Sequence, residues 1–405
     1  MVRLVVSPLY VALGFLATAA LVSAVAARAR LPYTVALVVV GLAAGTAHLV
    51  PPVSLGPDVI VTVLILPLLF EGAIRIPRRH LRTYAPLILA LAIPGTIVSA
   101  AVIAGAAFLG HVPWRGALLL GAVCAATDPA GVIALVRDAA LNERLGTVLE
   151  GEAVANDAVA IVLFTLALAP PPDVGRAAVE FVWLLAGGAA AGLVIGAGAA
   201  YVLGGITDPV VEAIGSLVAA AAAYLVADAV HASGIIGVAA AGLTFAALAG
   251  RSLTPAGAET VRVVWDVIAF LANSALFLLV GLVVPLPLLG RYAGLIGAVV
   301  LAALASRALS VYGFTALLAR SGAPFPMAWR HVMVWGGLRG GVAVALVLAL
   351  PPMLPQREAV AAGILGTIVW TLVGQGLLIR PIMQLVGLER MAPPSGPRTV
   401  PNEAR

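Results

Sequence analysis

The sequence predicts an all-α polytopic membrane protein of about thirteen transmembrane helices, built as inverted repeats with two crossing broken helices. Three observations carry that expectation. Hydrophobic residues fill 62% of the 405 positions and charged ones only 10%, against roughly 25% charged residues in a soluble domain, which excludes a soluble enzyme. The apolar residues fall in runs of about 20, enough to span a hydrocarbon core roughly 30 Å thick. Two runs are interrupted in their middles, by Thr127-Asp128-Pro129 and by Gly336-Gly337-Leu338-Arg339-Gly340-Gly341.

In chain order, the first run covers residues 9–27 and is closed by Arg28 and Arg30, and the second, 31–50, ends at Pro51-Pro52. The third, 59–74, follows Pro57 and stops at Arg75 and Pro77; the fourth, 85–109, follows the Arg78, Arg79 and Arg82 cluster. The fifth, 116–136, lies between Arg115 and Arg137, and the sixth, 146–169, between Arg144 and Pro170-Pro171-Pro172. The seventh, 177–203, follows Arg176; the eighth and ninth, 210–229 and 234–249, lead to Arg251. The tenth, 263–284, runs from Arg262 to the prolines at 285 and 287, and the eleventh, 293–319, from Arg291 to Arg320. The twelfth, 327–350, is bounded by Pro326 and Pro351-Pro352, and the thirteenth is 359–385. Proline and arginine are the punctuation because both are poorly placed inside a lipid-facing helix. No soluble domain fits between the runs, and 386–405, rich in proline and glycine, read as a short disordered cytoplasmic tail. Cys124 is the one cysteine, so no disulfide framework exists.

All 23 basic residues are arginine. The pI near 9.9 does not point to nucleic acid, because the arginines are scattered singly and form no basic stripe. They record orientation instead. Sixteen lie in the loops after odd-numbered runs or in the tail, and five on the opposite side, which places the N-terminus outside and the C-terminus in the cytoplasm of a plasma membrane of prokaryotic type. A cleaved signal peptide has the reverse polarity, since only Arg3 precedes the first apolar run.

Six of the charges within runs stand out: Glu71, Asp128, Glu152, Asp157, Arg307 and Arg339. Exposed to lipid and unpaired, they would cost on the order of 15 to 20 kcal/mol together. They therefore face a bundle interior or a water-filled cavity. A buried structural pair accounts for any one of them, whereas the set points to a solute pathway. Asp228 and Asp266 fall near run ends, where solvation or capping accounts for them, and Arg307 reads as an anchor of the eleventh run against a neighbour.

Pro129 removes a helix hydrogen bond and should break the fifth helix. Such a break at membrane depth survives only where the freed carbonyls face protein or water; with the Thr127 hydroxyl and the Asp128 carboxylate they make cation ligands, and Asp128 capping a second half-helix is compatible with that role. In the sixth run, Glu152 and Asn156 share a face, while Asp157 lies about 140° round the helix and ~7.5 Å along it. One face can hold an ion pair and the other can present Asp157 to a cavity, with Glu150 solvated nearer the membrane edge. Four glycines in 336–341 break the twelfth helix. The fifth and twelfth runs cross in opposite directions, and paired breaks of that kind mark the site of a secondary transporter built from inverted repeats.

The chain resembles the cation/proton antiporters, in particular the electroneutral sodium/proton exchangers of NhaP and mammalian-exchanger type. The matching stretches are 68–73 (LLFEGA), 126–129 (ATDP), Glu150-Gly151-Glu152 through Asn156-Asp157, 273–281 (NSALFLLVG), Ser306-Arg307-Ala308 and Gly337-Leu338-Arg339-Gly340-Gly341. The resemblance implies a core bundle at about 85–169 and 293–385, beside a scaffold at about 1–84 and 177–290 that forms a homodimer. It implies that Asp157 alternately holds a cation or protons, that Asp128 and Thr127 ligate Na+ beside it, and that Asn156 stands where the electrogenic branch has a second aspartate. Glu71 would contribute to the site, and Glu152 with Arg339 would form a buried core ion pair. Family members commonly have serine where this chain has Ala153. The implied activity is one-for-one exchange of Na+ or Li+ for H+, with no cofactor and no enzymatic chemistry. A K+/H+ exchanger of the same fold is the nearest alternative, ahead of a channel or sensor; protease readings fail because the chain has neither a GxGD-like element nor H-E-x-x-H.

Overall fold

Backbone polar groups in hydrocarbon must satisfy one another, so uninterrupted apolar runs become helices. The computed structural model describes residues 8–29, 33–47, 56, 59–76, 78–129, 143–170, 173–284, 286–321 and 325–385, and the expected runs appear in it in order as helices. They are α1 (Pro8–Ala29), α2 (Tyr33–Thr46), α3 (Ile60–Ile65 running on as Leu66–Arg75), α4 (Arg79–Leu109), α5 (Trp114–Ala125), α6 (Glu143–Leu168) and α7 (Val174–Leu203). After them come α8 (Pro209–Ala229), α9 (Gly234–Ser252), α10 (Pro255–Val283), α11 (Ala293–Leu317), α12 (Met327–Trp335), α13 (Gly341–Leu348) and α14 (Arg357–Leu385). Among the described residues, 7 helices are long and apolar enough to cross a membrane: α4, α6, α7, α8, α10, α11 and α14. The twelfth run is divided into α12 and α13. The second half of the fifth run lies outside the described residues.

Several helices begin before hydropathy places them, because their first turns are polar and capped. α10 starts at Pro255 rather than near 263: the Thr254 hydroxyl accepts from Gly257 N at 2.9 Å, and Pro255 occupies the first turn, where its missing N–H costs nothing. Asp173 and Asp208 cap α7 and α8 in the same way, each accepting a backbone N–H at 2.8 Å. Wide π-type turns interrupt α3 at Ile60–Ile65, α4 at Leu91–Gly95 and α14 at Trp370–Gln375. The one in α4 contains Pro94, which cannot donate to the helix ladder.

The closest helix pairings fall into two sets. α7 packs along α9, α2 along α10, and α3 against α9 and α10; α4 packs along α5, α11 along α4, and α5 along α6. On α7, Gly188 and Gly196 permit the approach to α9, since a Cβ at either would lie 2.5 Å from the carbonyl oxygen of Ser233 or Ala241. Trp265 of α10 is fully buried, stacks on Phe70 of α3 with centroids 4.4 Å apart, and donates its indole N–H to Ser216 of α8 at 2.9 Å. That contact fixes α3, and with it Glu71, against α8 and α10. α6 is where the two sets meet: it contacts α4 and α5 on one side and α3 and α9 on the other.

Candidate functional site

Two unwound stretches cross at the centre of the molecule. α5 stops at Ala125, and residues 126–129 run extended, as Pro129 dictates. α12 stops at Trp335, and α13 starts only at Gly341. The stretches are joined as an isolated antiparallel bridge between Asp128 and Leu338, with Asp128 N donating to Leu338 O at 2.8 Å. Gly340 has to be glycine, because a Cβ there would overlap the Asp128 side chain. Asp128 thereby sits just before the first turn of α13, where the positive end of the helix dipole favours a carboxylate. Arg339 serves the other polarity: its Nη1 donates to Ala126 O at 2.9 Å, past the C-terminal end of α5, and its backbone N–H donates to the Thr371 hydroxyl at 3.2 Å.

Behind the crossing, α6 presents Glu152 and Asn156. Glu152 is 2% exposed and is held in a two-pronged pair by Arg307 of α11, through Nη1 to Oε1 and through Nη2 to Oε2 at 2.8 Å. Arg307 Nε donates in addition to Met333 O at 3.1 Å. The expected Glu152–Arg339 pair is therefore corrected. Both arginines are buried at this level, but the rotation of α11 aims Arg307 at α6, while Arg339, lying in the unwound stretch, turns to the end of α5. Asn156 donates through Nδ2 to the Thr127 hydroxyl at 2.7 Å, and Thr127 N donates to Asn156 Oδ1 at 3.4 Å. Thr127, Asn156, Glu152 and Arg307 line a cavity of about 10 Å³, room for roughly one water.

The opposite face of α6 meets a cavity of about 500 Å³, and here the structure brings Asp157, Asp128 and Glu71 together. Ala153 is on the same wall, where it offers a methyl group and no hydroxyl. Thr127 and Asn156 are not on this wall; they pin the broken stretch to α6 from behind. The start of α2, the end of α3 and the starts of α6 and α10 all lie on one side of the bundle, and the cavity reaches that side through Tyr33, Arg75, Glu150 and Asp266. The sequence reading missed Tyr33 and Arg75 as cavity residues. Asp266 is 41% exposed, in keeping with its expected solvation, and it also pairs with Arg75 at 2.7 Å. The i, i+4 spacing of Glu71 and Arg75 was the available signal.

The family description "Sodium/hydrogen exchanger, transmembrane" matches residues 16–385. The Na(+)/H(+) antiporter ApNhaP of Aphanothece halophytica is 35% identical over 372 residues, covering 89% of this chain and 70% of that protein. The Na(+)/H(+) antiporter NhaG of Bacillus atrophaeus is 32% identical over 400 residues, covering 93% and 75%. Among solved structures, the sodium proton antiporter MjNhaP1 from Methanocaldococcus jannaschii superposes with a TM-score of 0.78 at 20% identity, over 95% of this chain and 99% of that one. At that identity the likeness speaks for the fold.

Proposed function

The chain belongs to the sodium/hydrogen exchanger family, and from that premise we propose that it exchanges Na+ or Li+ for H+, one for one, at Asp157. The observation that carries the reading is the open cavity of about 500 Å³ that ends on Asp157 and Asp128 at the crossing of the two unwound stretches. A carboxylate there accepts a cation or a proton but not both. Exchange follows if the protein alternates between two openings with Asp157 occupied and does not move with the site empty and charged, a state costly at membrane depth. Asp128 and the backbone of the broken stretch supply further oxygens, and Glu71 adds one from the facing helix. Thr127 stands behind this wall, its N–H and hydroxyl both engaged by Asn156, and supports the set by holding the broken stretch in place. Because Asn156 is neutral, α6 offers one titrating carboxylate at this depth, which supports an electroneutral cycle.

The cavity walls come from α6, α13 and the Asp128-Pro129 stretch on one side and from α2, α3 and α10 on the other. Movement of a core at about 85–169 and 293–385 against a scaffold at about 1–84 and 177–290, the latter forming a homodimer, opens and closes such a cleft. With the N-terminus outside and the C-terminus inside, the arginine-rich side is cytoplasmic and the cleft faces inward. Cation-dependent dequenching of a pH dye in everted vesicles, run with Na+, Li+ and K+, tests the reading. Saturable responses to Na+ or Li+ are expected; a response to K+ alone would replace the cation, and currents without saturable counterflow would replace the carrier by a channel.

A further inference from the structure

The cavity holds an ion pair on the way from its mouth to Asp157. α3 sets Glu71 and Arg75 one turn apart, and Arg75 Nε pairs with Glu71 Oε1 while Nη2 lies 2.7 Å from Asp266 Oδ1 on α10. Side-chain exposure is 12% at Glu71 and about equal, 40% and 41%, at Arg75 and Asp266, so Arg75 stands at the rim, on the outer side of the inner carboxylates. Among the described residues, the cavity is lined by the carboxylates of Glu71, Asp128, Glu150, Asp157 and Asp266 and by one guanidinium, that of Arg75. A fixed positive charge is out of place in an acidic path for cations unless it has a task there. Tying α3 to α10 is not that task, since the buried Phe70–Trp265 stack already does so. A guanidinium presents its donors as a planar fork and can hold two carboxylates at once, then release one while keeping the other.

We infer that Arg75 is a tethered counter-cation: it occupies Glu71 when no transported cation is bound, withholds that carboxylate from the site, and so sets the KM for sodium. Arriving sodium displaces the guanidinium from Glu71, and Asp266 retains it at the cavity wall. Arg75 is thus a positioning residue that acts through Glu71, and its role rests on the reading of this cavity as the cation path.

Sodium titrations of exchange in proteoliposomes at fixed pH test it. Arg75→Gln should lower the KM for sodium by about fivefold, equivalent to ~1 kcal/mol for an ion pair of this exposure, with the change read in KM and not matched in the maximal rate. Asp266→Asn should raise KM, because Arg75 then rests on Glu71 alone, and Arg75→Lys should fall between wild type and Arg75→Gln. An unchanged or higher KM in Arg75→Gln overturns the inference. If that variant folds poorly, Asp266→Asn decides, and an unchanged or lower KM there overturns it equally. Glu71→Gln separates the two levels: it should raise KM and make a further Arg75→Gln change silent. An unchanged KM in Glu71→Gln removes Glu71 from the site and with it the underlying reading, whereas a raised KM with Arg75→Gln inert sinks only the role of Arg75.

Discussion

Two faces of α6 carry acids of similar chemistry in opposite surroundings. On one, Glu152 is gripped by Arg307 beside a cavity of about 10 Å³; on the other, Asp157 opens onto about 500 Å³ shared with Asp128 and Glu71. A charge at membrane depth needs either a partner or water, and the two faces take one solution each. On the proposed function, the difference separates holding from carrying. A carboxylate whose oxygens are both engaged by a guanidinium has nothing to offer a solute, whereas one that faces a wet cavity can exchange what it binds.

The largest expected effect lies on the wet face. Asp157→Ala should abolish sodium- or lithium-dependent collapse of a pH gradient in vesicles while leaving yield near wild type; full residual activity would erase the distinction between the faces. On the dry face the effect should be on folding. Arg307→Ala leaves Glu152 buried without its partner, at a cost of about 3 to 5 kcal/mol, seen as lost yield and a lowered Tm in detergent, with partial recovery in Glu152→Gln/Arg307→Met. Arg339→Ala removes the charge-assisted bond to Ala126 O and should cost less, about 1.5 to 3 kcal/mol. If it destabilises more than Arg307→Ala, the pairing described for Glu152 is wrong. Thr127→Ala removes the acceptor of the Asn156 amide and should cost about 1 kcal/mol, with a raised sodium KM as the broken stretch loosens. The smallest effect should come from voltage: clamping the membrane potential at different values in proteoliposomes should leave the exchange rate unchanged, and a strong dependence would mean that a second charge on α6 takes part.

What could be read from the sequence followed from local chemistry. Pro129 and the glycines of 336–341 announce the two breaks because they act on their own backbone, and the five-residue step from Glu152 to Asp157 puts them on different faces of any helix. The partner of Glu152 could not be read in that way. Arg307 and Arg339 are both intramembrane arginines, and the choice between them depends on how α11 is rotated and where the unwound stretch turns, which are properties of the packed bundle. The early starts of α7 and α10 were legible in Asp173 and in the pair Thr254-Pro255, but hydropathy overlooks them because a capped polar turn lies outside the hydrocarbon. The π-type turns of α3 and α14 leave no comparable local mark.

The bridge between Asp128 and Leu338, with the bond from Arg339 to Ala126 O spanning 213 residues, also bears on how the chain is made. When the fifth run leaves the ribosome, the partners of its broken backbone have not yet been synthesised, and an unsatisfied amide or carbonyl in lipid costs several kcal/mol. The first half of the molecule therefore has to keep this stretch hydrated or sheltered at the insertion machinery until the twelfth run arrives. Biogenesis should stall at that point, and a truncation placed before residue 338 should leave a product that the cell's quality control recognises and removes.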